Sequence, residues 1–224
     1  ADTPEKRRGV GIAWGGFNVT EGGGDSAEVA LELMPGNKIR KYDTWHAMGQ
    51  GATTGSLVVT LEALKEMHLT PEDIQLIQND TKPCPDTGMA GASRSLYMDG
   101  NATIIAANKL LAAMRKEDGT LRTYDEMKAE GIETKYLGRY ETNTTPGLCR
   151  LDPNTGIGDP TPAFTYCLNL AEVEVDTKTG KTTVLKFTCV DFVGRIGNID
   201  AVNGQAYSGI MHGIGFALKE DYAD

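Results

Sequence analysis

Met48-Gly49-Gln50-Gly51-Ala52-Thr53-Thr54-Gly55 joins a strand-like run, Ile39 to Trp45, to a helix-like run, Ser56 to Met67. Glycines at such a junction let the backbone come close to a ligand, and a helix start presents N–H groups with no partner of their own. The helix dipole favours negative charge there, so a phosphate is the natural guest. The spacing departs from both common nucleotide fingerprints, with no Gly-x-Gly-x-x-Gly and no Gly-x-x-x-x-Gly ending in Lys-Ser/Thr. A helix capped by a glycine-rich turn is the competing reading of the same residues.

Upstream, Ala27-Glu28-Val29-Ala30-Leu31-Glu32-Leu33 alternates with the period of a strand, turns at Pro35-Gly36-Asn37 and returns through Ile39 to Trp45. Gly9 to Val19 reads as an earlier, glycine-containing strand. Downstream, Leu57, Leu61, Leu64 and Met67 form a helical stripe, Thr70-Pro71 reads as an N-cap with proline behind it, and Ile74 to Gln78 reads as a short strand. A long helix with Tyr97, Ile104, Ala107, Leu111 and Met114 on one face is expected after Ser95. Residues 116–139 read as charged surface with a short helix at Tyr124 to Glu130, and 140–162 as an extended loop.

The pattern then recurs. Leu168 to Val175, a turn at Asp176 to Gly180, and Thr182 to Val193 form a second hairpin. A glycine loop through Asn198 and a helix striped by Ala206, Ile210, Ile214 and Ala217 follow it. Two copies of hairpin, glycine loop and helix predict an α+β fold with mixed sheets and helices packed on one side. The expected lobes are 1–139 and 163–224, joined by the loop 140–162, and pseudo-symmetry would bring the two glycine loops to one cleft.

The 224 residues suffice for one large domain or two small lobes, and 40% apolar with 24% charged side chains marks a globular chain. No apolar run approaches the roughly 18 residues of a membrane span. A net charge of −9 argues against a nucleic-acid face, so an anionic guest would depend on local donors such as Arg94 or Arg195. Cys84, Cys149, Cys167 and Cys189 form no Cys-x-x-Cys pair and read as buried reduced thiols in a cytoplasmic setting. His46, His68 and His212 share no helical spacing, so no protein-ligated metal is expected. The chain opens without an initiator Met and stops inside a helical pattern, and so reads as a piece of something longer.

Three segments share one character: Met48 to Gly55, Met89 to Ser95 and Gly194 to Gln205. Each offers small side chains and free backbone donors before or at a helix start, and each backbone bond to a charged acceptor is worth about 1.5–3 kcal/mol. Gln50 and Gln205 add amides that donate and accept at once, suiting a heterocycle edge or an oxo group. Ser93 and Ser95 read equally as helix caps, Arg94 as a solvent-facing cation, and Gly209, Gly213 and Gly215 as sites of close helix packing. There is no Gly-x-Ser-x-Gly elbow and no His-Glu-x-x-His pattern, and a solvated carboxylate is the default for each acidic residue. The sequence supports binding better than turnover.

Lys6 through Ala13, Met48-Gly49-Gln50-Gly51, Asn79-Asp80-Thr81, Pro85 through Ser95, Glu126 through Gly131, and Gly204-Gln205 with Gly213-Ile214-Gly215 carry a resemblance when taken in order. The chain resembles the molybdenum-binding region of the xanthine oxidase family of molybdenum hydroxylases, and the bacterial aldehyde oxidoreductases in particular. The resemblance implies a fragment of a larger molybdopterin-binding domain. It implies that Met48, Gly49, Gln50, Gly51 and Ala52 approach the molybdopterin, with Gln50 near the oxygen ligands of a molybdenum held by the pterin dithiolene. Ala90, Gly91, Ala92, Ser93, Arg94 and Ser95 would bind the pterin or its phosphate and flank the substrate pocket, Ala92 forming its wall. Gln205 would contact the cofactor, and Gly194 and Arg195 a dinucleotide tail, in bacteria usually the cytosine form.

The parent enzyme would oxidise aldehydes to carboxylic acids with water-derived oxygen. Hydroxylation of a purine or of nicotinate, or a non-catalytic binding or assembly module retaining the fold, are the alternatives. The implied partners are the remaining segments of the same enzyme, an iron–sulfur domain or subunit that holds the clusters, and an oligomer of like or unlike chains. The family's Gly-Val-Gly-Glu segment, whose Glu acts as base, does not occur in these residues. This stretch alone is therefore expected not to turn over.

Overall fold

The computed structural model describes residues 4–20, 24–78, 80–142 and 151–221. Asn79, Cys149, Asp224 and the 143–150 part of the expected loop lie outside the described residues. The chain divides into a larger unit, Asn18–Ala163, and a smaller one made of Ala1–Phe17 with Phe164–Asp224.

The larger unit is built on a four-stranded sheet in the order β4-β3-β2-β5, with β2 at Ser26–Met34, β3 at Lys38–Asp43, β4 at Ile74–Gln78 and β5 at Lys135–Glu141. β2 runs antiparallel to β3 and β5, while β3 and β4 are parallel, so the sheet is mixed. The β2–β3 reversal falls on Pro35-Gly36-Asn37, where Gly36 and Asn37 both take positive φ, as a tight turn requires. Helix α1 (Ala52–Ala63) carries the chain from β3 towards β4. Helix α2 (Arg94–Met114) packs on β2, β5 and α1. Helix α3 (Tyr124–Ala129) starts on a capping box in which the Thr123 hydroxyl accepts from Glu126 N–H and the Glu126 carboxylate accepts from Thr123 N–H.

The period-2 pattern of β2 buries Ala27, Val29, Leu31 and Leu33 completely on one face. Leu31 and Leu33 join Ile39, Leu64, Ile74, Leu110, Met114 and Met127 in the main apolar cluster. Each such side chain contributes about 1.5–3 kcal/mol on leaving water.

Two expectations are corrected here. Residues 135–141 are not surface loop but strand β5, whose Tyr136, Gly138 and Tyr140 alternate with the exposed Lys135, Leu137 and Arg139. The buried face of α2 runs through Met98, Ala102, Ala106 and Leu110 instead of Tyr97 and Ile104, the latter being exposed. The reason is steric: α2 lies so close to β5 at Gly138 that only small residues fit beneath it. A Cβ added there would sit 2.0 Å from the Ala102 carbonyl oxygen.

The smaller unit contains β1 (Lys6–Val19), β6 (Ala163–Asp176) and β7 (Thr182–Phe192) in the order β1-β6-β7. β6 and β7 form an antiparallel hairpin with an irregularity between Glu172 and Val173. Most of β1 belongs to this unit because it pairs with β6. Lys6 and Arg8 on β1 both bond the Glu174 carboxylate on β6. Helix α4 (Ile199–Leu218) is capped by the Asn198 side chain, which accepts from Ala201 N–H. Among the described residues of this unit none is buried; Ala206, Ile210 and Ile214 are half-buried and Ala217 is exposed. Among the described residues no helix is long and apolar enough to cross a membrane.

Candidate functional site

In the larger unit the first glycine turn leaves the end of β3. Trp45 is buried, and the chain then runs exposed from His46 to Gly49. Gly49 and Gly51 take φ of +104° and +87°, a region closed to most side chains, and no atom lies near the face where Gly49 would carry a Cβ. Gly51 is the N-cap of α1 and no side chain caps it, so the helix starts at Ala52, four residues earlier than the expected Ser56. The Gln50 amide folds back on its own turn: Oε1 accepts from Met48 N–H at 2.5 Å and Nε2 donates to the His46 carbonyl at 2.9 Å.

The second turn, Met89 to Ser95, enters α2 through Ala92 and Ser93, both left-handed at φ of +48° and +53°. Two non-glycine residues held this way cost of order 1–2 kcal/mol each. Surrounding bonds hold them in place, with Thr20 N–H donating to the Ala92 carbonyl at 2.7 Å and Arg94 N–H to Gly91. Ser93 is the N-cap by position yet its hydroxyl makes no capping bond, so α2 also starts uncapped. Ala90, Gly91, Ala92 and Ser95 are half-buried around this start.

Arg94 is neither solvent-facing nor free to meet an anion. Its Nε and Nη2 donate bidentately to the Asp25 carboxylate, both at 2.8 Å. Nη1 donates to the carbonyls of Thr87 and Met89, and Nη2 also to that of Ser26. The five donors of the guanidinium are thus all engaged inside the protein. Gly88 makes room for it, since a Cβ there would meet Nη2 at 2.7 Å. Burial works against the charge on Asp25, but the bonds from Arg94 and Thr20 outweigh it and hold that carboxyl below the usual carboxylate range.

The two turns share one end of the sheet. Thr44, just past β3, donates its N–H to Thr87 Oγ1 at 2.9 Å, and Thr87 N–H donates to Thr44 Oγ1 at 3.2 Å. Thr87 Oγ1 also donates to the Glu28 carbonyl of β2. Two helices without a side-chain cap, α1 after Thr44 and α2 after Thr87, therefore follow segments that are bonded to each other, and their starts present positive dipole ends.

In the smaller unit, Gly194 takes φ of +71° with open space where a Cβ would stand, Arg195 is exposed, and Gln205 lies exposed on α4. Cys84, Cys167 and Cys189 are free thiols, half-buried rather than buried as expected.

A buried charge cluster lies behind the first turn, and sequence reasoning passed over it by treating every carboxylate as solvated. Lys41, Asp43 and Asp99 are all fully buried, with Lys41 Nζ at 3.1 Å from Asp43 Oδ2 and 2.8 Å from Asp99 Oδ1. Strand parity was the available signal: Lys41 and Asp43 share the inward face of β3 with Ile39. Burial pushes the Asp99 carboxyl up to about 6 against the opposing effect of Lys41. Its complete burial keeps it from any substrate, so it is no general base.

The profile of the Molybdopterin cofactor-binding domain family matches residues 1–224. An aldehyde oxidoreductase of Megalodesulfovibrio gigas is 38% identical over 99% of this chain and 24% of its own length. The crystal structure of the aldehyde oxidoreductase from Desulfovibrio desulfuricans superposes with a TM-score of 0.92 at 41% identity, again over 99% of this chain and 24% of that one. A probable hypoxanthine oxidase of Escherichia coli is 29% identical over 79% of this chain and 20% of its own. The chain thus spans about a quarter of the length of the aldehyde oxidoreductases it matches.

Proposed function

This chain belongs to the family of molybdopterin cofactor-binding domains, and on that premise we propose that it supplies part of the cofactor cradle of a molybdenum-dependent aldehyde oxidoreductase. The observation that carries the reading is the pair of uncapped helix starts at Ala52 and Arg94, held at one sheet end by the reciprocal Thr44–Thr87 bonds. Such a donor set fits a phosphorylated, polar group, because a helix start without a side-chain cap leaves backbone N–H donors and the positive dipole end for an anion.

Met48 to Ala52 and Ala90 to Ser95 are the proposed binding residues, acting through backbone N–H groups and small side chains. Gln50 contributes through the second N–H of its amide, its carbonyl being held by Met48. Arg94 shapes the second turn from within, its guanidinium bound to Asp25 and three carbonyls. Within the smaller unit, Gly194, Arg195 and Gln205 are the proposed cofactor contacts, Arg195 taking the phosphate of a cytosine dinucleotide tail. When bound, the molybdenum–pterin group supplies the redox chemistry, and these residues orient it and exclude water from it.

Aldehyde is the favoured substrate over a purine or nicotinate, since the similarity to the Megalodesulfovibrio protein is higher and covers more of the chain than that to the hypoxanthine oxidase. Turnover is assigned to the complete parent protein, in a cytoplasmic compartment. The exposed Val10, Ile12 and Trp14 of β1, and Met211 and Phe216 of α4, support burial against its remaining segments and an iron–sulfur domain or subunit. Metal analysis of the natively expressed full-length protein tests the reading, with stoichiometric molybdenum expected and its absence refuting it. Gly51→Val, forced at φ +87°, should cut molybdenum content several-fold, and unchanged content would remove the first turn from the site.

A further inference from the structure

We propose that Lys41, Asp43 and Asp99 are positioning residues for the Met48–Gly51 turn: Asp43 clamps the turn at both ends, and the buried Lys41–Asp99 pair sets the charge against which that clamp closes. On the entry side, Trp45 N–H points to Asp43 Oδ1 at 3.4 Å and its ring lies 5.5 Å from Lys41 Nζ. On the exit side, Ser56 Oγ in α1 donates to Asp43 Oδ2 at 2.7 Å. The Trp45 ring also reaches the exit, since a Cβ on Gly55 would lie 3.4 Å from it. Residues 46–55 therefore hang from one carboxylate. Gln78 of β4 fixes that carboxylate from a third direction, donating to Oδ1 at 2.7 Å.

The charge balance of the cluster gives the clamp a variable strength. Two ionised carboxylates facing one ammonium leave an uncompensated negative charge in the core, which is costly there. Asp99 Oδ1 accepts from Lys41 and from Thr103 at 3.2 Å, while Oδ2 is buried with no hydrogen-bond partner among the described residues. A proton on Asp99 removes the excess charge, and burial raises its carboxyl to about 6. Above that pH ionised Asp99 repels Asp43 and competes with it for Lys41, so the clamp loosens. The charged groups acting on Asp99 are Lys41 and Asp43 of β3; α2 adds the hydroxyl of Thr103, and from α1 the Ser56 hydroxyl bonds Asp43.

The functional weight of the clamp rests on the reading of this turn as a cofactor contact, whereas its mobility is measured without the cofactor. The experiment is amide hydrogen exchange on the cofactor-free full-length protein. Ser56→Ala deletes one bond to a charged acceptor and should speed exchange in residues 46–55 by roughly tenfold or more, with β2 unchanged. Asp99→Asn keeps an oxygen for Lys41 and Thr103 but removes the charge. It should abolish the pH dependence of exchange in 46–55 between about pH 5 and pH 7.5, after correction for intrinsic exchange. Thr103→Val, which deletes a bond that lowers the Asp99 pKa, should move the midpoint of that profile to higher pH and serves if Asp99→Asn does not fold. Wild-type exchange in Ser56→Ala, or an unmoved profile in the Asp99 and Thr103 variants, overturns the proposal. A native protein free of molybdenum would sink the cofactor reading and leave these exchange results intact.

Discussion

Gly138→Ala should be the most damaging one-carbon change in the larger unit. A Cβ at this position of β5 would stand 2.0 Å from the Ala102 carbonyl oxygen, 2.6 Å from Ala106 N and 3.0 Å from Ala106 Cβ. The first two neighbours are backbone atoms of α2, so no rotamer change relieves the contact. Ordinary van der Waals separation requires α2 to retreat from β5 by about 1.5 Å. Because α2 also packs on β2 and α1, that retreat opens voids along Met98, Ala102 and Ala106. Overpacking of this kind costs about 1–3 kcal/mol, and a backbone collision belongs at the upper end. For a unit of this size, each kcal/mol lowers the melting temperature by about 2–4 °C, giving a drop of roughly 6–12 °C. The assay is thermal unfolding of the full-length protein followed by circular dichroism. Gly209→Ala in α4, where no atom lies within 4 Å, is the control and should be neutral or stabilising by up to about 1 kcal/mol. A Gly138→Ala protein melting within a degree or two of wild type would refute the close helix–sheet packing.

Two further outcomes follow from the charged groups. Arg94→Lys keeps the charge but loses the fork that engages Asp25 and three carbonyls, and should cost about 2–4 kcal/mol in chemical denaturation while loosening the Met89–Ser95 turn; an unchanged midpoint would contradict the strut role. The Asp99 carboxyl is raised in the folded protein, so folding takes up a proton there: its contribution is intact below about pH 4 and is lost as pH rises through about 6. Relative to Asp99→Asn, wild type should lose up to about 3 kcal/mol across that window, and parallel stability-versus-pH curves would refute the assignment.

Much of the fold was legible from neighbouring residues. The Pro35-Gly36-Asn37 reversal, the Ile74–Gln78 strand and the helix at Tyr124 stand where local turn chemistry, alternation and capping put them. β5 was not legible, because it sets an apolar Leu137 outward between the charged Lys135 and Arg139, and its inward Gly138 carries no apolar signal. The face of α2 was misjudged for a related reason. Large apolar residues suggest Tyr97 and Ile104, whereas the close approach to β5 selects the small ones, Ala102 and Ala106.

The sequence by itself determined the recurring order of hairpin, glycine loop and helix, and with it the candidate turns, since strand period, positive-φ glycines and helix starts depend on residues only a few positions apart. Tertiary structure alone decided that Arg94 is spent on Asp25, 69 positions away, and that Lys41, Asp43 and Asp99 meet in the core instead of in solvent. Such pairings depend on which faces are pressed together when the sheet and helices pack. The cost of burying a charge unpaired then selects the partner, and no local stretch of sequence carries that information.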